Sequence, residues 1–299
     1  MVKVKTSVIG SYPVKIDTFK LIKNYFNSVD ISWDTYIDSA VDDMLNANLD
    51  YISDGQTRDP FINIFTRKIK GCRIRFTTEI IDKLEYDKPI ILDDIIYVKN
   101  KIPPNKFLIG VVAGPYTLSK SVVDYYYKNV MDLSYDFAKI INKEIKLLLP
   151  YIDIISIDEP YFSNNFPEYG KDLISFLTNR INCPIRLHVC GDVSKIIPQL
   201  LDLPIDILSH EFKARPELLN DFKEYTTNNK KICLGSVRSD NQKIETVDEI
   251  ISHIKIAESI FGNKLEQISP DCGLRFLPRS IAFNKLKNLV RAGEIFNEN

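Results

Sequence analysis

The chain has 299 residues, 44% of them hydrophobic and 26% charged, with a formal net charge of -1. That composition supports a large buried core, and its near-neutral charge excludes general nucleic-acid affinity. The start, Met1-Val-Lys-Val-Lys-Thr6, shows no signal pattern, and no apolar run is long enough for a membrane span. Five scattered cysteines (Cys72, Cys183, Cys190, Cys233, Cys272) argue against a disulfide framework and for a reducing, cytoplasmic setting.

Short apolar runs alternate with helical patterns along the chain. The runs fall at residues 4–9, 49–53, 107–113, 152–157, 185–189, 205–209, 231–234 and 266–269. Several are apolar throughout, as expected of parallel strands covered on both faces. Between them, 33–48 and 124–149 repeat near 3.6 residues. Residues 246–261 open with Thr246-Val-Asp-Glu249, a helix cap with acids in the first turn. Residues 278–292 open with Pro at a first helical position.

Eight βα units predict a single-domain (β/α)8 TIM barrel. An open doubly wound sheet is the rival, but no Gly-x-Gly-x-x-Gly follows any strand. Residues 66–106 break the rhythm. Alternation in Cys72-Arg-Ile-Arg-Phe76 predicts a hairpin strand within an elaborated loop after strand 2. Residues 294–299 read as a frayed tail.

In a barrel of this kind the active site lies at the C-terminal ends of the strands. His188 and Cys190 lie two apart at one such end, so both side chains share a face. Glu211 ends the next strand, and Cys272 ends the last. Together they form a Cys2HisGlu set suited to one zinc per chain. His210 rivals Glu211 as a ligand but should face the other way on its strand. Cys72, Cys183 and Cys233 read as packing residues. His253, inside a helical pattern, reads as a surface or packing residue. Asp158-Glu159 closes the fourth barrel strand, where one carboxylate could meet an ammonium group. Gly10 and Ser11 close the first, where backbone N–H groups could hold a carboxylate. A zwitterionic amino acid would satisfy both.

These residues resemble the catalytic C-terminal barrel of the cobalamin-independent methionine synthase family, and among its members the short archaeal-type chains. The resemblance rests on Ile9-Gly-Ser-Tyr-Pro13, Ala113-Gly-Pro-Tyr-Thr117, Ile157-Asp-Glu-Pro160, His188-Val-Cys190, Glu211 and Ser269-Pro-Asp-Cys-Gly273. They stand in the family's order and span nearly the whole chain. The resemblance implies zinc on His188, Cys190, Glu211 and Cys272. It implies homocysteine held by Ile9, Gly10, Ser11 and Asp158, assisted near Gln56. The implied reaction is methyl transfer to the zinc-bound thiolate, giving methionine.

The departures bear on the methyl donor. The family's pterin-stacking Trp is missing after the Gly-Pro-x-Thr motif, where Leu118-Ser-Lys-Ser-Val122 stands. The family's catalytic His aligns with Asp240, which the resemblance offers as a catalytic residue, a proton donor or gate. A cobalt leaving group needs no proton, whereas a pterin nitrogen does. The expected donor is therefore a methylated corrinoid, free or on a corrinoid protein. Two alternatives stand: a corrinoid-linked methyltransferase acting on another thiol such as coenzyme M, and a non-catalytic zinc-binding barrel.

Overall fold

The computed structural model describes residues 2–15, 17–19, 22–23, 33–225 and 229–298. Its strands, in chain order, are β1 (Lys5–Thr6), β2 (Tyr51–Ile52), β3 (Ile69–Ile74), β4 (Thr78–Tyr86), β5 (Phe107–Ala113), β6 (Val123–Asp124), β7 (Ile154–Asp158), β8 (Ile185–His188), β9 (Ile207–His210), β10 (Lys231–Val237) and β11 (Leu265–Pro270). Eight of them form one parallel sheet in the order β1-β11-β10-β9-β8-β7-β5-β2. This is the (β/α)8 barrel that the eight apolar runs predict. β1 and β2 meet at its seam with little ladder. Thr6 N–H donates to Asp50 Oδ2 at 2.7 Å, Asp50 N–H to Thr6 Oγ1 at 3.0 Å, and Tyr12 N–H to the Gly55 carbonyl at 2.9 Å.

The apolar core lies between the strands and the outer helices. Ile155, Ile157 and Leu187 on the strands are fully buried, as are Phe137 and Ile141 on helix Val130–Leu148 and Ile250 and Ile254 on helix Val247–Phe261. Each such side chain contributes about 1.5–3 kcal/mol by leaving water. The barrel axis is polar instead. Arg186 on β8 reaches Ser156 on β7, Cys233 on β10, Gln267 on β11 and Ser7, contacts possible only across the interior.

Several local expectations hold. Cys72 lies on β3, which pairs antiparallel with β4 as a hairpin. Thr246 caps its helix in a full capping box with Glu249. Others need correction. The long helix starts at Val130, capped by the Asn129 side chain, because Val123–Asp124 is recruited as a strand beside β4. The elaboration is narrower than 66–106, since helix Leu92–Lys101 buries Ile95 and Val98 and belongs to the barrel's outer layer. The last helix runs Arg279–Glu298, so most of the supposed tail, 294–298, is ordered; Asn299 lies outside the described residues. Asn297 explains this by bonding both polar groups of the Val4 backbone, at 2.8 and 2.9 Å.

Candidate metal centre and substrate pocket

The strand ends converge on a cavity of about 490 Å³. Its wall includes Ile9, Gly10, Ser11, Gln56, Asp158, His188, Cys190, Glu211, Asp240 and Cys272, which is every site residue anticipated from the sequence. A larger hollow of about 580 Å³ lies around Asp202, Asp206, Lys230 and Lys231, at the start of β10, and gathers no comparable donor set.

The candidate metal donors come from β8, the turn after it, and the turn after β11. His188 Nε2 stands 3.0 Å from Cys190 Sγ, and Cys190 Sγ stands 2.8 Å from Cys272 Sγ. The three ligand atoms lie within 4.8 Å of one another. The two sulfurs are too far apart for a disulfide bond, and both cysteines are free. Burial drives the His188 imidazole well below its usual range, so it is neutral and has a lone pair to offer. Ser209 Oγ sits 3.1 Å from Nδ1, the hydroxyl partner that leaves Nε2 facing the sulfurs. Contact with Cys272 and burial together raise the Cys190 thiol far above its usual range. Two sulfurs and one neutral imidazole in a partly buried cluster are the donor chemistry of zinc.

Glu211 lies on the same wall but outside this three-atom cluster. Its Oε2 accepts the Gly191 N–H at 2.8 Å and stands 3.9 Å from Arg215 Nε. The structure thus brings together three of the four anticipated ligands and holds the fourth beside them. His210 points away, with Nδ1 3.1 Å from the Val189 carbonyl and its ring among Phe212 and Phe222. Its role is packing, as its position on the strand predicts. His253 is likewise buried and holds the Gly235 carbonyl through Nε2 at 3.1 Å.

On the opposite wall, Gly10 adopts a left-handed φ of +49°, and a Cβ there would stand 3.5 Å from Gln56 Oε1 and 3.6 Å from Asp158 Oδ2. Three chain segments therefore meet at this glycine. Gln56 is itself left-handed at φ 46°, uncommon for a side chain of its size. It is buried, and its Nε2 has no hydrogen-bond partner. A strained residue presenting an unpaired donor on a cavity wall points to a ligand group. Burial pushes the Asp158 carboxyl up to about 6, against the charge of Arg186 and the hydroxyl of Ser156.

Of the adjacent carboxylates only Asp158 faces the cavity. Glu159 turns back and accepts the N–H groups of Tyr116 and Thr117 at 2.9 and 2.8 Å, satisfying the start of helix Pro115–Lys120. Asp240 is paired with Arg238 at 2.6 Å, and that guanidinium holds its carboxyl below the usual carboxylate range. Asp240 is therefore ionised at neutral pH.

Sequence reasoning missed part of the wall. Phe61, Phe276 and Leu277 line it, and Phe276 is 94% exposed at the rim. Nothing in their local pattern separates them from packing residues. Arg186 was also missed, although its signal was readable: an arginine in an apolar strand, two residues before His188 and so on the same face.

A (β/α)8 barrel whose strand ends gather a His/Cys cluster able to hold a soft metal on the wall of one cavity defines an enzyme of the barrel class. The chain belongs to the family described as "Cobalamin-independent synthase, Catalytic domain", whose profile matches residues 4–295. It is 36% identical to the methionine synthase of Methanocaldococcus jannaschii, over 97% of this chain and 98% of that one. It is 30% identical to the methionine synthase of Methanothermobacter marburgensis, over 97% and 99%. Among solved structures it resembles a B12-independent methionine synthase from Shewanella sp. W3-18-1, solved with selenomethionine. That match has a TM-score of 0.83 at 22% identity, and covers 99% of this chain and 98% of that one.

Proposed function

We propose that this protein transfers a methyl group to the sulfur of L-homocysteine and releases L-methionine. The observation that carries the reading is the placement of the His188–Cys190–Cys272 cluster in one cavity with Asp158, Gln56 and the Gly10–Ser11 turn. Methionine synthases matching it along nearly their whole length support it.

His188, Cys190 and Cys272, with Glu211 beside them as a fourth donor, would hold zinc, which would supply the Lewis acidity that keeps a thiol deprotonated at neutral pH. The amino-acid end is the chain's own work. Asp158 accepts the substrate ammonium group in a charge-assisted hydrogen bond. The Gln56 amide and the N–H groups around Gly10 and Ser11 donate to its carboxylate. Ile9 packs beside its methylenes. These contacts hold the sulfur on the metal side, aligned for attack on an incoming methyl group. The sulfur's electron pair forms the new S–C bond, and the donor keeps the pair from the bond that breaks.

The donor we assign is a methylated corrinoid, whose cobalt leaving group needs no proton. Asp240, ionised beside Arg238, has no proton to give, which supports such a leaving group. The family's description as cobalamin-independent argues for another donor, so the two are tested together. Zinc-loaded protein and homocysteine are offered methylcobalamin, methyl-folate and methyl-tetrahydromethanopterin in parallel, with methionine as the readout. A non-amino-acid thiol, 2-mercaptoethanesulfonate, serves as the competing acceptor. Methionine from methylcobalamin supports the whole assignment. Transfer from a pterin alone overturns the donor, and preference for the other thiol overturns the substrate.

A further inference from the structure

Arg186 is fully buried at the centre of the barrel. Its partners are all neutral. Nε lies 3.2 Å from Ser156 Oγ, one terminal nitrogen lies 2.7 Å from Ser7 Oγ and 3.2 Å from Gln267 Oε1, and the other donates to the Val8 carbonyl at 2.9 Å. A buried cation without a contacting carboxylate is costly and calls for a physical reason. Ser156 supplies one. Its hydroxyl accepts from Arg186 and donates to Asp158 Oδ1 at 3.1 Å. Residues 156 and 158 share a face of β7, and 186 and 188 share a face of β8, so cation, hydroxyl and carboxylate stack toward the mouth.

We propose that Arg186 and Ser156 are positioning residues for the amino-acid end of the substrate. Arg186 orients the Ser156 hydroxyl, and Ser156 in turn fixes one oxygen of Asp158. The other oxygen, Oδ2, is then aimed at the substrate ammonium group beside Gly10. The buried positive charge also favours the carboxylate form of Asp158 that an ammonium group needs. Neither residue touches the reacting sulfur, so they act on substrate binding through Asp158. The inference rests on homocysteine being the substrate proposed above.

The test compares homocysteine with 4-mercaptobutanoate, the same thiol acid without its amino group. Ser156→Ala should raise the KM for homocysteine about tenfold, the worth of one hydrogen bond to a charged group. For the thiol lacking the amino group, KM should move by less than about twofold. With either thiol, kcat should change by less than about threefold, and zinc content should not change. Ser156→Cys fills the same space with a weak donor, and serves if the alanine variant does not fold. Arg186→Met should show the same discrimination between the two thiols. In an Asp158→Ala background, Ser156→Ala should add nothing. Equal weakening of both thiols, or no weakening of homocysteine, overturns the positioning role. If the unsubstituted protein fails to methylate homocysteine, the proposed activity falls and the role with it; normal wild-type activity with a silent Ser156→Ala sinks the positioning role alone.

Discussion

Asp271 accepts the backbone N–H of Ala214 at 2.8 Å, and it takes the neighbouring Lys213 N–H at 2.9 Å. One carboxylate therefore ties the turn that carries Cys272 to the loop that follows Glu211. The join is tight, since a Cβ on Gly235 would collide with Asp271 Oδ1. Asp271→Ala removes both acceptors at once. Zinc affinity should drop about 10–100-fold, the usual effect of losing the support behind a ligand. Competition against a chromophoric chelator measures it, and an unchanged affinity would show that the two turns hold their places independently.

The three-atom cluster and the turned-away Glu211 predict unequal losses on substitution. Cys272→Ala and His188→Ala should lose most of the bound zinc, which we expect at about one ion per chain. Glu211→Gln should keep the metal and lose methyl transfer. Metal analysis of the purified variants decides the point. Zinc lost equally from all three would place Glu211 among the fixed ligands.

Gln56 offers a trade between stability and binding. Glycine at this position relieves the left-handed φ of 46° and removes the buried, unpaired amide. Gln56→Gly should stabilise the fold by roughly 1 kcal/mol and raise the homocysteine KM by about tenfold or more. Thermal unfolding and steady-state kinetics on one preparation check both signs.

His253 predicts an acid-sensitive contribution to stability. Burial and the nearby Lys213 push its pKa from 6.5 to about 4. The unfolded chain takes up a proton near 6.5, while the folded chain resists until about 4. Stability from this group is complete above the unfolded value and is lost as pH falls through that window. The full loss is about 3 kcal/mol at most. His253→Gln, which keeps a donor for the Gly235 carbonyl, should flatten the fall in Tm between pH 6.5 and 4. A variant with the same slope as the parent would assign the acid sensitivity to other groups.

Much of this molecule was legible because burial writes itself into composition. Strands β5, β7, β8 and β10 are covered on both faces and read as largely apolar runs. The positional rule of the barrel then named the cavity wall, from Ser11 round to Cys272. What stayed hidden depends on partners far away in sequence. Val123–Asp124 reads as part of a helix until β4 claims it. The final helix reads as fraying until Asn297 finds Val4. Helix Leu92–Lys101 looks like loop because its exposed face is charged at both ends. Glu211 and Asp240 were placed correctly on the wall, but the directions of their carboxylates follow from Gly191 and Arg238, which no periodicity specifies.

The seam between β1 and β2 lies directly beneath the pocket's rim. Every other pair of neighbours in the ring shares a parallel backbone ladder, but at this joint the Asp50 side chain and the Tyr12–Gly55 bond stand in for rungs. Gly10 and Ser11 sit on one lip of that joint and Gln56 on the other. Gly10, Ser11 and Gln56, which we propose meet the substrate's carboxylate, therefore flank a joint closed by a side chain in place of a ladder, whereas His188 is carried on a strand laddered to both its neighbours.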